Sequence, residues 1–343
     1  MTRREFIGAG LVATAATALQ GEVTATVPGG AGMVSGGAGM VSGVATAGRD
    51  GVRAGAGEAG ARDLDAIQKE IDAVTPQDYS AFRDAGPDMP VSERDAVQAR
   101  LPGLARYDRA FDKVFAEVQA TTVAPGARPA VWYVYNMGFV VKTAERLFSI
   151  DLCHRQGPRF APLLDFALIT HNHGDHYTRP FYDAMNGHEG KTVVNNFVDN
   201  YGAHYRGKHP GGFTRGPKEF VFGDVKVKAT VSDHNAYLID YTMPFEVTVG
   251  DFRLYHTGDS QNIDKLNPAP EPDLWLVHPY CGMKPSLGVR KFAPKLTVIG
   301  HLQEFGHARD RWRFTFKEGL ARVRDVEEAG GRALMPLWGD RIC

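Results

Sequence analysis

The sequence predicts a layered α/β or α+β domain over residues 126–343, preceded by a helical extension at 63–125, and three textures of the chain predict it. After Pro125, short runs rich in β-branched and aromatic residues follow one another, separated by turn residues, with helical stretches between or after them. Between Asp63 and Pro125, apolar residues recur at helical spacing instead. Over residues 22–62 the chain has almost none of the large side chains that a core requires.

Taken in order, residues 1–21 pair Arg3 and Arg4 ahead of Phe6 and Ile7, continue with a weakly apolar alanine-rich run, and offer Ala16-Thr17-Ala18 as a small-residue cleavage site. This stretch resembles a twin-arginine signal peptide, the bacterial route that exports folded proteins. The resemblance implies a periplasmic or secreted protein with the twin-arginine export machinery as a transient partner. The run is too short and too rich in Ala, Gly and Thr to span a bilayer, and no cysteine follows it, so neither a stable membrane anchor nor a lipoprotein anchor is expected. Residues 22–62 are dominated by Gly and Ala and repeat GGAGMVS at 29–35 and 36–42, the composition of a flexible tether.

From Asp63, which can cap a helix, Leu64, Ile67, Ile71 and Val74 fall on one helical face. Thr75-Pro76 predicts a second helix start, an N-cap followed by proline at the first helical position. Ser92 opens a capping-box variant with Asp95, and Leu104, Tyr107, Phe111, Val114, Phe115 and Val118 form a longer amphipathic stripe. These helices are expected to pack on the main domain or on a partner subunit, as scaffolding rather than as a substrate cap. Beyond Pro125, AVWYVYNMG, FVVKT, RLFSID, DFALIT, VKVKATVSD, FEVTVGDFRLYHTGD, DLWLVHP and LTVIGH predict strands, with a tight hairpin at Gly250-Asp251. Helices are expected near Tyr177 to Met185 and from Arg309 to Glu328.

The chain has 343 residues and a formal net charge of -1, so it offers no broad basic field, and nucleic acid is not expected as a partner. Its 3 cysteines, Cys153, Cys281 and Cys343, are too few and scattered for a disulfide framework or a thiolate zinc site. Cys153 and Cys281 both lie just past strand ends; one disulfide is conceivable, and two unpaired half-buried thiols are the plainer expectation.

Chemistry concentrates in HNHGDH at 171–176, directly after the apolar run DFALIT. His171 and His173 stand two apart in an extended segment, so their rings project to one side, and Asp175 and His176 follow where the chain bends toward a helix. By chance such a string arises in about one chain in a thousand of this length, which makes it far more specific than a lone Gly-rich loop. Further ligand-type residues terminate strands: VKVKATVSD delivers His234, FRLYHTG delivers Asp259 and LTVIG delivers His301. Imidazole and carboxylate without thiolate suit zinc, manganese or iron.

HNHGDH, His234, Asp259 in HTGDS and His301, in that order, resemble the metallo-β-lactamase superfamily over roughly residues 126–343. Within it the texture is similar to the group that includes ascorbate-phosphate lactonase-like enzymes and metal-dependent hydrolases other than the antibiotic-cleaving ones. The resemblance implies a four-layer αββα sandwich, and two divalent metal ions, zinc first with manganese or iron(II) as alternatives. It implies that His171, His173 and His234 hold one ion, that Asp175, His176 and His301 hold the second, and that Asp259 bridges them. It also implies a metal-bound hydroxide as nucleophile, with Asp175 orienting it or passing a proton. Asp151 stands where the family often has an acidic residue buttressing a ligand histidine, and Asn136 where it puts a polar residue facing the cleft.

His278, Tyr280 and His307 are further candidates for facing the substrate, His307 being also the rival of His301 as final ligand. His154, His188, His204 and His209 lie in loop-like contexts and are expected to be solvated, while His256 is expected to pack or hydrogen-bond within the sheet. The expected function is an exported dinuclear-metal hydrolase cleaving an ester, lactone, amide or phosphodiester of a small molecule. Two other classes stand beside it: a mononuclear iron (sulfur) dioxygenase on the same fold, and a non-catalytic metal-binding protein. A homo-oligomer is compatible with either arrangement of the helical extension.

Overall fold

The computed structural model describes residues 63–195, 217–280 and 283–343. The leader and the Gly/Ala-rich stretch, His204, His209 and Cys281 lie outside the described residues, and with Cys281 any pairing to Cys153.

Helix α1 (Leu64–Asp72) starts where the Asp63 carboxylate accepts the Ala66 N–H at 2.9 Å. Helix α2 (Pro76–Asp84) starts at Thr75, which forms a reciprocal capping box with Asp78 ahead of Pro76. Helix α3 (Val91–Arg100) departs from expectation: proline at 90 starts it two residues early, so Ser92 sits inside the first turn and no side chain caps it. Helix α4 (Pro102–Ala120) carries the long stripe, with Leu104, Tyr107, Phe111, Val114 and Val118 all buried.

Five strands form the first sheet, in spatial order as in sequence: β1 (Ala130–Tyr135), β2 (Gly138–Lys142), β3 (Leu147–Ile150), β4 (Phe166–Ile169) and β5 (Thr192–Asn195). The second sheet has β6 (Lys218–Phe222), β7 (Val225–Ala229), β8 (Phe245–Val249), β9 (Phe252–His256), β10 (Leu274–Val277), β11 (Thr297–Ile299) and β12 (Ala333–Leu334), stacked from β6 at one edge to β12 at the other. The β8–β9 hairpin turns at Gly250-Asp251, with Val249 paired to Phe252.

Side-chain alternation sorts these strands into layers. Val131, Tyr133, Phe148, Phe166 and Leu168 of the first sheet meet Val227, Val247, Leu254, Leu276 and Val298 of the second in one core. On the first sheet's other face, Trp132, Val134, Ala167 and Ile169 pack against the α1–α4 helices and against α5 (Arg179–Gly187). On the second sheet's other face, Tyr255, Trp275 and Ile299 pack against α6 (Pro285–Phe292) and α7 (Phe316–Glu328). The result is a helix–sheet–sheet–helix sandwich of four layers, with the N-terminal helices part of its first core. Each buried large apolar side chain contributes roughly 1.5–3 kcal/mol, so the shared core fixes those helices firmly.

Several local expectations shift. Helix α7 begins at Phe316 and not near Arg309, because Thr315 and Glu318 close a capping box and Trp312, at φ 67°, breaks the preceding turn. Helix α5 begins two residues late, at Arg179, with Pro180 in its first turn. Cys153 is fully buried rather than half-buried, and burial pushes its thiol well up.

Candidate metal centre

Parallel pairing explains where the site forms. Strands β3 and β4 are parallel in the first sheet, and β9, β10 and β11 in the second, so their C-terminal ends open onto one edge of the sandwich. From those ends emerge Asp151, His171, Asp259, His278 and His301. Two glycines let the loops from opposite sheets touch. A β-carbon on Gly258 would lie 2.7 Å from Thr170 Oγ1, and one on Gly300 would lie 2.6 Å from Met137 Sδ.

The seven ligand-type residues meet in two sets, each with its ligand atoms within 4.8 Å of one another: His171, His173 and His234; and Asp175, His176, Asp259 and His301. Asp259 stands between the sets. Its Oδ1 is 3.0 Å from His176 Nε2, and its Oδ2 is 3.5 Å from His301 Nε2, 3.6 Å from His234 Nε2 and 4.0 Å from His171 Nε2.

Ring orientation is set from behind. His176 Nδ1 donates to Asp151 Oδ2 at 2.8 Å. Thr170 gives its one hydroxyl proton to the same Asp151 oxygen at 2.7 Å, so at 3.0 Å from His171 Nδ1 that hydroxyl accepts. Both rings are therefore engaged through Nδ1 and turn their Nε2 atoms toward the centre. Asp151 is wholly buried, at φ 47°, and thus orients one ligand from each set. His256 supports Asp259 instead: its Nε2–H donates to the Met137 carbonyl at 3.0 Å and its Nδ1 accepts the Gly258 N–H at 3.1 Å.

The donor set fits divalent metal ions. At the centre, His171 Nε2, His176 Nε2, His234 Nε2 and Asp259 Oδ1 are buried without a hydrogen bond. Each such orphan costs roughly 1–3 kcal/mol, so four in one small volume mark a place built for coordination rather than for hydrogen bonding. All are imidazole or carboxylate donors, which suit zinc, manganese or iron(II).

Charge is divided between the sets. Burial, then neighbouring His176, holds His171 well below the usual imidazole range, and burial together with His234 lowers His173 to about 4. Burial likewise opposes charge on His301, but Asp259 and the hydrogen bond to Asp175 at 2.9 Å outweigh it and raise His301 to about 9. For Asp175 and Asp259 burial pushes upward, yet His176 and His301 hold both carboxyls below their ordinary range.

The other sequence candidates take supporting positions. Asn136 does not face an open cleft; it is buried, donates from Nδ2 to the Asp175 carbonyl at 2.7 Å and accepts the His301 N–H on its own carbonyl at 2.8 Å, tying together two members of the carboxylate-rich set. His278 is buried with its ring 3.9 Å from that of His301, and its Nδ1 accepts the Tyr280 N–H, so it backs a ligand instead of lining the opening. Tyr280 stacks on Phe314 with centroids 4.3 Å apart. His307 pairs with buried Glu304 at 2.7 Å and its ring lies 6.2 Å from that of His301, outside both ligand sets.

His188 is exposed, but His154 corrects the expectation of a solvated ring. It is fully buried between Tyr107, 3.7 Å away, and Phe111, 4.5 Å away, and burial lowers its pKa well below the usual range. Sequence reasoning also missed Thr170, and Tyr241, whose ring packs 5.3 Å from His173 and whose hydroxyl donates to Asn172 Oδ1. Nothing local in the sequence marks either residue.

No protein-family model matches the chain, and no curated protein matches it. Solved structures are similar in fold. A metallo hydrolase from the archaeon Ignicoccus hospitalis is 17% identical, with 62% of this chain and 97% of that chain covered and a TM-score of 0.47. The metallo-beta-lactamase fold protein YhfI from Bacillus subtilis is 16% identical, with 62% and 99% covered and a TM-score of 0.45. CmlA, a diiron beta-hydroxylase from Streptomyces venezuelae, is 15% identical, with 78% and 62% covered and a TM-score of 0.47.

Proposed function

We propose that this protein is a dinuclear-metal hydrolase acting on an ester, lactone, amide or phosphodiester of a small molecule. One observation carries the reading: Asp259 lies between two donor sets in which its own Oδ1 and the Nε2 atoms of His171, His176 and His234 are buried without a hydrogen-bond partner. His171, His173 and His234 would hold one ion, and Asp175, His176 and His301 the other, with the Asp259 carboxylate shared to offset repulsion between two dications. When bound, such ions polarise the scissile oxygen and lower the pKa of water to about 7.

The chain's own residues do the positioning. Asp151 and Thr170 fix the His171 and His176 rings, and Asn136 fixes the backbone of Asp175 and His301. Asp175 Oδ2 accepts a hydrogen bond from His301 Nε2, and as a carboxylate held below its ordinary range it would act as an acceptor that orients the attacking water.

The test is metal per chain by elemental analysis of the purified protein, with His173→Ala and Asp259→Ala beside it. About two equivalents of zinc or manganese, lost in the variants, support the hydrolase. One equivalent of iron moves the assignment to the dioxygenase, and failure to take up added metal sinks catalysis altogether. We further propose export through the twin-arginine route, on Arg3 and Arg4; a protein that fractionates identically with both changed to Lys would overturn that.

A further inference from the structure

The N-terminal helices bring one cation to the rim of this centre. A β-carbon on Gly174 would lie 4.0 Å from Arg83 Nη1, with nothing else as near. Gly174 stands between His173 and Asp175, one member of each donor set, and successive Cα atoms are only ~3.8 Å apart. Arg83 comes from α2, a helix separated by 90 positions of chain from that loop (174 less 84).

Helix α2 is held rigidly at both ends by buried arginines of the sandwich. At its start, Arg313 donates from Nη1 to the Val74 carbonyl at 2.7 Å. Past its end, Arg155 donates to the Gly86 carbonyl, while its guanidinium lies 4.0 Å over the Phe82 ring and pairs with Asp108. Arg83 itself spends little of its donor capacity. Its Nε donates to Asp84 Oδ1 at 3.0 Å, on a carboxylate 68% exposed, and neither terminal nitrogen hydrogen-bonds to a described residue. A guanidinium carries five donors in a planar fork suited to two oxygens of one anion.

We propose that Arg83 is the substrate's anionic anchor, so that the molecule cleaved carries a carboxylate or phosphate beside its scissile bond. This rests on the hydrolase reading and adds the substrate class to it. The fork takes two oxygens of that group while the scissile bond reaches the metal centre across Gly174, where the missing side chain leaves room. The N-terminal helices then complete the site as well as the core.

The assignment is tested by calorimetry on the full metal-loaded chain, with succinate and inorganic phosphate as separate probes, in the wild type, Arg83→Met and Arg83→Lys. Charge-assisted, two-pronged contacts predict that Arg83→Met weakens the preferred probe about 10–100-fold, with Arg83→Lys between the two. Metal content stays unchanged and melting temperature moves little, since Arg83 contacts only the exposed Asp84 carboxylate and, at 5.7 Å, the Tyr79 ring, against which the methionine side chain can still pack. The probe that loses affinity identifies the anion. Equal binding of both probes by wild type and Arg83→Met overturns the anchor. Turnover separates this from the parent reading: the ratio of cleavage of the 4-nitrophenyl monoester of succinate to that of 4-nitrophenyl acetate should fall about 10–100-fold in Arg83→Met. If neither ester is cleaved, nor any amide, lactone or phosphodiester, the hydrolase falls while binding still decides Arg83.

Discussion

His176 Nδ1 donates to Asp151 Oδ2 at 2.8 Å, and the same carboxylate oxygen takes the Thr170 hydroxyl proton at 2.7 Å, so one buried carboxylate orients ligands of both donor sets. Asp151→Asn keeps the shape and tolerates φ 47°, since asparagine enters left-handed backbone readily, but it removes the charge that both protons seek. Metal affinity should fall about 10–100-fold at both positions with the fold retained, measured by competition against a chromogenic chelator. Thr170→Val should weaken only the three-histidine set. Equal loss at both positions from Thr170→Val would refute the relay.

Loading of the two ions should differ in pH dependence. With His173 lowered to about 4 and His171 also held low, these two ligands are neutral above roughly pH 5 and take metal without giving up a proton. His301 is raised to about 9 in the metal-free protein, so below that pH the second ion must displace its proton. Affinity at the second position should climb with pH until about 9, and calorimetry in buffers of different ionisation heat should detect proton release there. The sign for stability follows. A histidine raised on folding stabilises fully below its unfolded pKa of about 6.5 and loses that contribution as pH rises through about 9. Metal-free protein should therefore lose stability from pH 6.5 to 9. A flat profile there would contradict the His301 assignment.

The ligands were legible because strand ends carry them: His171, Asp259 and His301 each follow an apolar strand, and HNHGDH crowds four donors into one bend. What escaped arrives through distant contacts. Thr170 has ordinary strand-end chemistry, and only the approach of Gly258 and Asp151 gives its hydroxyl a role. Arg83 lies in a helix with no polar cluster around it, so the sequence suggested scaffolding, and only tertiary packing brings it to Gly174. His154 looks like a loop histidine because the aromatic rings that enclose it stand on α4, 47 residues upstream at Tyr107. Strands β5 and β6 and helix α6 are short, and their few apolar residues give too little periodicity to be distinguished from loops.

The Arg155–Asp108 pair ties α4 to the segment after β3, with the two side chains 2% and 5% exposed. Asp108→Ala leaves a buried guanidinium without its counter-ion, for which the loss is about 3–5 kcal/mol. Denaturant unfolding should show that loss as a lower midpoint with the slope preserved. A change under about 1 kcal/mol would mean that water or another acceptor reaches Arg155.

Gly258 and Gly250 separate backbone strain from crowding. Both have left-handed backbone, at φ 50° and φ 60°, but a β-carbon at 250 would meet nothing within 4 Å, whereas one at 258 would meet Thr170 Oγ1 at 2.7 Å and Cβ at 2.8 Å. Gly250→Ala therefore measures the conformational penalty alone, about 1–2 kcal/mol. Gly258→Ala adds the displacement of Thr170, which moves the oxygen holding His171 Nδ1. It should cost about 1–3 kcal/mol more and also weaken metal at the three-histidine set, with Gly250→Ala leaving affinity unchanged. If both alanines cost the same and neither alters metal binding, the contact between the two sheets' loops is not what aligns His171.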